Sequence, residues 1–488
     1  MLADILLGMA AAFLGPQAET AELELAERYI GGFGQYWGER RYWNWGNLVF
    51  DESEEMGLTV TLHSPFGSTP IPVFRDGNQL QFALISDGKQ FRFEGKIFED
   101  SIQGWYKWNR ERGVFEVVPL FELDEAELDR RCGIYETRSG GAFSIERSGE
   151  VLRFTDFETG DRRTLTVARD GSMMAGPSFL RLYPIESTFR WDGDTVVISV
   201  GDERSIEGTR IQRVQRDSAS VSAGDLELAV NVYHCGARDE RPGIVLVPGS
   251  GDHSYRNAYG FWPDYLAHLG FRVLTYDKRG TGASEGELSS AIRGNTGPEI
   301  WGPLAADARA CVEYLRGLPD VDAERVGMLG FSQAGWIMPY AAREPGVAFT
   351  IAVNGAATTL AQELAYSELA GESRKLRRLL PLDEAYAQLS ELEVTDYSYE
   401  RDIARQRAPG LWMYGMLDRV VPAQACAGLI EGIAEATELD FTVVRFPGGN
   451  HELFEAEFGH VAEGTTLARM VPGLLDAVEG WLRERELL

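Results

Sequence analysis

The chain has 488 residues, with 47 basic and 75 acidic side chains and a formal net charge of −28. Its length predicts about two to four domains, and 44% hydrophobic with 25% charged residues excludes a wholly disordered or coiled-coil chain. The acidic balance argues against a nucleic-acid partner and against docking on an anionic membrane, because both need a basic footprint.

Residues 5–15 form an apolar run that is too short to span a bilayer. No basic residue precedes it and no small-x-small cleavage site follows. A packed N-terminal helix and a cytoplasmic location are therefore expected over a secretory signal. Residues 18–30 read as one helix. Strand-like stretches follow at 58–62, 80–85, 91–98 and 114–120, then a short helix at 124–130. A second set of strands is read at 142–146, 151–156, 163–168, 187–191, 195–200 and 206–214. Short strands at regular spacing predict small barrels or sandwiches, in modules at 46–122 and 128–215. Ser-Ile-Gln-Gly at 101–104 and Ser-Ile-Glu-Gly at 205–208 sit near the end of each set. They fit two related modules, and they fit chance equally well.

Tyr36, Trp37, Tyr42, Trp43 and Trp45 form one aromatic group, and Trp105, Tyr106 and Trp108 another. Such groups can stack on flat ligands, but core packing is the plainer expectation. Cys132, Cys235, Cys311 and Cys426 are too dispersed for a metal site or a disulfide framework, so buried free thiols are expected.

The small polar residues at 217–224 read as a linker. Beyond them strands alternate with helices, the pattern of a parallel α/β sheet. The chain is thus divided into a β-rich accessory region, 1–217, and an α/β domain, 218–488.

The chemistry falls in the second part. A strand at 243–247 leads into Pro248, Gly249, Ser250 and Gly251, a small-residue loop able to aim a backbone N–H at a developing oxyanion. A literal Gly-x-Ser-x-Gly surrounds Ser284, but its strand has ended several residues earlier and no helix follows. The stretch 325–331 instead runs directly into Ser332, and a helix begins at once. Strand, sharp turn and helix are what a nucleophile elbow requires. Gly330 stands two residues before the serine; two residues after it is Ala334, with Gly335 next. The backbone N–H of Gln333 is the expected second oxyanion donor beside that of Ser250, with Gly249 or Gly251 as alternatives to Ser250.

A serine hydroxyl needs a base. Among six histidines, only His451 follows a C-terminal strand and turn. Asp418 follows the strand at 410–416, one helix and one strand ahead of His451, so parallel strands deliver both loops to the same sheet edge. Between the strands at 349–353 and 411–416 the connection is far longer than a crossover needs. Its helical spacing at 359–380 and 382–392 predicts a helical cap at about 356–408.

Ser332, Asp418 and His451 stand in the chain order of α/β-hydrolases, and residues 220–488 resemble that superfamily. The resemblance is carried by residues 247–251, 276–284, 330–335, 417–422 and 448–451. It is nearest to bacterial esterases and acyl-peptidase-like hydrolases with an N-terminal β domain. Two departures stand out: Pro248 occupies the place of a structural histidine, and Ala334 that of a common glycine. The resemblance implies a carboxylesterase-like enzyme: a serine hydrolase that cleaves small-molecule esters through an acyl-enzyme, with no cofactor and no metal. Peptidase or amidase activity, thioester or acyl transfer, and a non-catalytic binding role are the alternatives. The charge of −28 favours neutral esters over polyanionic acyl carriers. A homo-oligomer is left open.

Overall fold

The computed structural model describes residues 22–37, 40–63, 70–86, 89–108, 111–179, 181–201, 204–252, 254–288, 298–371, 379–392, 397–460 and 468–488. The apolar run at 5–15 lies outside them, as do the side chains of Tyr36, Trp37, Tyr42, Trp43, Trp45 and Trp108. No helix among the described residues is long and apolar enough to cross a membrane.

The β-rich half forms two closed eight-stranded barrels. The first runs from β1 (Arg28–Trp37) to β8 (Glu111–Pro119) and closes where Tyr29–Gln35 pairs antiparallel with Gly113–Pro119. Phe33, Phe82, Phe93 and Phe115 fill it, with ring centres 4.7 to 6.5 Å apart. The helix expected at 18–30 is absent where it is described: residues 22–27 are irregular and Arg28 opens β1. The local apolar spacing suits a helix, but Tyr29, Ile30 and Phe33 are buried in strand pairing, so closure of the barrel overrides local preference. This barrel therefore starts at Arg28 rather than at 46. Tyr106 is buried within it, whereas Trp105 is 37% exposed.

A short helix, α1 (Glu125–Arg131), capped by Asp124, leads to the second barrel. It runs from β9 (Gly133–Thr137) to β16 (Arg204–Gln212). Its core holds Tyr135, Phe143, Phe154 and Phe189. Gly104 and Gly208, the glycines of the two similar tetrapeptides, each lie under a core phenylalanine: a Cβ at 104 would come within 2.7 Å of Phe115, and one at 208 within 2.5 Å of Phe143.

No linker separates this barrel from the α/β half. Residues 217–223 belong to β17 (Val214–Ala223), which pairs in full with β18 (Leu226–Cys235), and Gly224 makes the turn. Small side chains suit an edge strand whose Val221 alone is deeply buried. The remaining strands are β19 (Arg241–Val247), β20 (Arg272–Tyr276), β21 (Val321–Phe331), β22 (Thr350–Val353), β23 (Gly410–Gly415) and β24 (Phe441–Phe446). The sheet order is β17-β18-β20-β19-β21-β22-β23-β24, parallel from β20 onward. Successive residues of β19 serve opposite cores: Val245 and Val247 pack on one face, Ile244 and Leu246 on the other. Burial on both faces accounts for its unbroken apolar run. Helices cover those faces, among them α2 (Trp262–His268) and α3 (Pro298–Arg316).

The second barrel is stitched to the α/β half through backbone. Arg162 N–H donates to Ala468 O at 2.7 Å, and Met470 N–H to Gly160 O at 2.9 Å. The segment at 468–470 pairs in turn with residues 453–455, where Glu455 N–H reaches Arg469 O and Val471 N–H reaches Leu453 O, each at 2.9 Å. Arg469 adds an ion pair to Asp161 at 2.8 Å.

Gly160 (φ +72°) sits at this seam, and a Cβ there would lie 3.0 Å from Met470 Cβ and 3.2 Å from its N. Gly171 has similar backbone (φ +79°) with nothing within 4 Å. Both alanine variants carry the left-handed penalty, but Gly160→Ala should also open the seam. Its thermal midpoint is expected about 2–4 °C below that of Gly171→Ala. Equal midpoints by circular dichroism would remove the seam from the stability of the chain.

Candidate active site

β21 hands the chain to Ser332 and then to α4 (Ala334–Ala341). Ser332 has φ +52°, a left-handed conformation that side chains adopt only when their surroundings enforce it. Here Ser332 N–H donates to Val353 O at 3.1 Å, and Ser332 O accepts from Gly335 and Ala356 N–H, each at 2.9 Å. The crowding explains the flanking residues. A Cβ at Gly330 would lie 2.4 Å from Ala334 Cβ, and one at Gly335 would lie 2.4 Å from Ala356 O. The tight position after the serine is thus 335, and the methyl group of Ala334 fits because residue 330 has none.

Asp418 follows β23 and is buried. Its Oδ1 accepts from the backbone N–H of Val420 at 2.7 Å and Val421 at 2.9 Å. Its Oδ2 stands 2.8 Å from His451 Nδ1. His451 follows β24 and lines a cavity of about 400 Å³ together with Ser332, Gly249 and Ser250. Burial pulls the imidazole pKa down, but the charge and hydrogen bond of Asp418 outweigh it, with Glu452 and Glu363 adding to the rise. The result is about 9. The structure thus brings Ser332, Asp418, His451 and the Ser250 loop to one edge. Ser284 lies elsewhere: its Oγ donates to Asp277 O at 2.7 Å and accepts from Ala229 N–H at 2.9 Å, as part of a turn.

The loop after β19 is held from below. Lys278 Nζ donates to Gly249 O at 2.8 Å, and Tyr255 Oη donates to Ser250 O. Burial lowers the Lys278 ammonium to about 8. The backbone N–H groups of Ser250 and Gln333 make no hydrogen bond among the described residues, so each is open to an incoming acceptor. Lys278 lies in a stretch that reads as a plain structural turn, and Pro248 two residues before Ser250 gave no hint of what would fix the loop.

Asn354 is the other residue that sequence reasoning missed. It follows β22 with φ +44° and is fully buried. Its Nδ2 donates to His451 O at 2.7 Å and to Asn450 O at 3.1 Å, and its Oδ1 accepts from Gly415 N–H at 2.7 Å. One amide therefore joins the histidine loop to the acid strand. The only local signal is a polar residue straight after an apolar strand.

The long crossover carries α5 (Leu360–Ala370), α6 (Leu382–Glu391) and α7 (Glu400–Ile403), with 372–378 and 393–396 outside the described residues. It packs beside the acid loop: Tyr366 Oη donates to Asp418 O at 2.7 Å, and Arg419 Nη1 donates to Ala370 O at 2.6 Å. The described wall of the cavity that holds Ser332 and His451 comes instead from the Tyr255–Trp262 segment and from Arg153 and Arg162 of the second barrel.

Residues 258–467 match the model of the prolyl oligopeptidase family. An uncharacterised protein of Mycobacterium tuberculosis, strain CDC 1551, is 29% identical over 248 residues, spanning 51% of this chain and 72% of its own. The putative hydrolase YtaP of Bacillus subtilis is 33% identical over 75 residues, 15% of this chain and 25% of its own. Among solved structures, a dienelactone hydrolase-like promiscuous phosphotriesterase from metagenomic libraries has a TM-score of 0.38 and 18% identity, covering 56% of this chain and 97% of its own. Est1E of Butyrivibrio proteoclasticus, bound to ferulic acid, has a TM-score of 0.34 and 16% identity, covering 55% and 98%. The C-terminal half has the α/β-hydrolase fold. The family match, together with the elbow, supports a serine hydrolase of that fold.

Asn354→Ala removes three hydrogen bonds around the histidine loop. It should slow fluorophosphonate labelling about tenfold or more and lower the His451 pKa read by imidazole NMR, because the pairing with Asp418 loosens. Wild-type labelling with an unmoved titration would deny Asn354 a positioning role.

Proposed function

We propose that the chain hydrolyses small-molecule carboxylic esters through an acyl-enzyme, with Ser332 as nucleophile, His451 as base and Asp418 as its orienting acid. The observation that carries this reading is the hydrogen bond from the half-buried His451 to the buried Asp418 beside a serine held at positive φ in one cavity. His451 takes the hydroxyl proton of Ser332 as its oxygen adds to the ester carbonyl. The oxyanion takes hydrogen bonds from the N–H groups of Ser250 and Gln333. The bond to the alcohol then breaks and His451 returns the proton to the leaving alkoxide. Water repeats the sequence on the acyl-enzyme and releases the acid. Asp418 fixes the Nδ1–H tautomer and steadies the imidazolium. Every step uses groups of the chain itself.

The family match favours a second reading, peptide or amide cleavage by the same groups. The accessory half speaks against a close functional likeness to oligopeptidases with propellers, since it is two closed barrels.

A fluorophosphonate probe should label the wild type and leave Ser332→Ala unlabelled. Labelling that survives Ser332→Ala but is lost in Ser284→Ala would overturn the nucleophile. Rates on nitrophenyl esters are expected to exceed those on aminoacyl nitroanilides, and the reverse order would favour the peptidase reading. The base must be neutral to act, so a raised pKa leaves more of it protonated at neutral pH. Activity should therefore climb with pH, with the midpoint of kcat/KM displaced above the ordinary value of about 6.5 towards about 9. A flat profile from pH 6 to 9 would exclude His451 as the base.

A further inference from the structure

The second barrel contributes to the catalytic cavity two arginines that the proposed reaction does not use. Arg153 lies on β11 (Val151–Asp156) and Arg162 opens β12 (Arg162–Val167). Both line the cavity with Ser332 and His451. Arg162 is 7% exposed. Its guanidinium is surrounded by Phe179, Phe261 and Phe454, with ring centres 5.3, 5.3 and 5.4 Å away. Nε donates to Thr155 Oγ1 at 3.3 Å. Nη2 is buried and makes no hydrogen bond among the described residues, and Glu146 Oε1 stands off at 3.7 Å. Arg153 packs over Phe179 at 4.5 Å, and its buried Nε also lacks an acceptor.

Aromatic faces attract a cation but do not accept its N–H donors in the plane of the guanidinium. A buried charged donor without an acceptor is costly and rare in folded chains. The surrounding charges do not remove the excess. Burial draws the Arg162 pKa down to about 10, so it stays a cation at neutral pH. Burial pushes the Glu146 carboxyl up, against the pull of Arg162 and Arg153. Asp264, in the adjoining cavity of about 760 Å³ that Arg153 also lines, is raised well above the usual carboxylate range by burial and by Glu146. Glu452 also borders the catalytic cavity, but it is solvent-exposed. Two guanidiniums thus share one compromised carboxylate.

We propose that Arg162, with Arg153 beside it, forms an anion subsite of the catalytic cavity that takes a carboxylate carried by the ester substrate. The subsite rests on the ester-hydrolase reading above. A guanidinium pairs with a carboxylate through two parallel hydrogen bonds, which supplies the acceptors that Nη2 and its neighbour lack. The second barrel then selects the substrate, while the α/β half cleaves it. Because the side chain also stacks between the barrel (Phe179) and the hydrolytic half (Phe261, Phe454), the alternative role is a mechanical clamp.

The test compares two matched pairs of esters in the full-length protein. A nitrophenyl hemiester of glutaric acid against nitrophenyl valerate places the carboxylate on the acyl side. 4-Acetoxybenzoate against phenyl acetate places it on the leaving group. In at least one pair, Arg162→Met should reduce the ratio of kcat/KM, anionic over neutral, by tenfold or more, or about 1.4 kcal/mol, mainly through KM. Arg153→Met should shift the same pair in the same direction. Rising salt should raise the wild-type KM for that anionic ester more than for its neutral partner. The pair that responds identifies the side of the ester on which the carboxylate sits. Ratios unchanged in both variants, or equal losses on anionic and neutral esters, would overturn the subsite. If the wild type still takes the fluorophosphonate probe in that case, the hydrolase reading survives; a wild type that takes neither probe nor ester sinks both.

Discussion

The hydrogen bond from His451 to Asp418 is the contact on which the geometry of the site turns, because it links side chains on two different loops, which also share a backbone hydrogen bond from Leu417 N–H to Gly449 O at 2.8 Å. Each end is tethered separately. Asp418 is pinned through its second oxygen by Val420 and Val421, and through its carbonyl by Tyr366 of the crossover. The histidine loop is held by Asn354. It is also held by Asn450, whose side-chain oxygen accepts from the N–H groups of Glu452 and Phe454. A 2.8 Å contact between loops is reproducible only if both are fixed to a few tenths of an ångström. Buried amide and carbonyl groups supply that rigidity better than apolar packing, because their partners are directional.

The same loop is the point where the accessory half meets the chemistry. Residues 453–455 pair with 468–470, and these pair with 160–162 of the second barrel. A shift of the barrel is thereby transmitted along backbone hydrogen bonds to the segment that follows His451. Arg162 adds a side-chain connection at the same place, over Phe454. The barrel is thus continuous with the site wall, and its removal would leave both a strand edge and Phe454 uncovered.

Much of the hydrolytic half was legible because its signals are local. An apolar strand running without pause into Ser332 and a helix needs only a few residues to be recognised, and Asp418 and His451 each follow such a strand. The flanking glycines were legible as a need for small residues, although the sequence does not say that the tight position is Gly335 rather than Ala334; that follows from its approach to Ala356. Residues 22–30 and 217–224 misled for opposite reasons. The first has helical apolar spacing but is claimed by barrel closure, and the second has linker composition but is an edge strand whose small polar residues face outward. Lys278, Asn354 and Arg162 were silent because each acts on a segment distant in sequence. Their roles exist only after the sheet and the barrels bring those segments together.

Charge also works on two scales that the sequence alone cannot separate. A net −28 sets a repulsive field for anions at long range, but at physiological salt it is screened over about 8 Å. Within the cavity the relevant sum runs over the groups in contact with the bound molecule, where burial strengthens each interaction. Arg153 and Arg162 line it, while Glu146 lines the adjoining cavity and its carboxyl is itself pushed up by burial. An acidic exterior and a cationic wall are therefore compatible. The exterior discourages polyanions, whose many charges feel the field together, while a single carboxylate incurs little repulsion on approach and gains a directional partner on arrival. On the proposed ester-hydrolase reading, that combination favours small mono-anionic esters over large acyl carriers and places the choice in the barrel rather than in Ser332, Asp418 and His451.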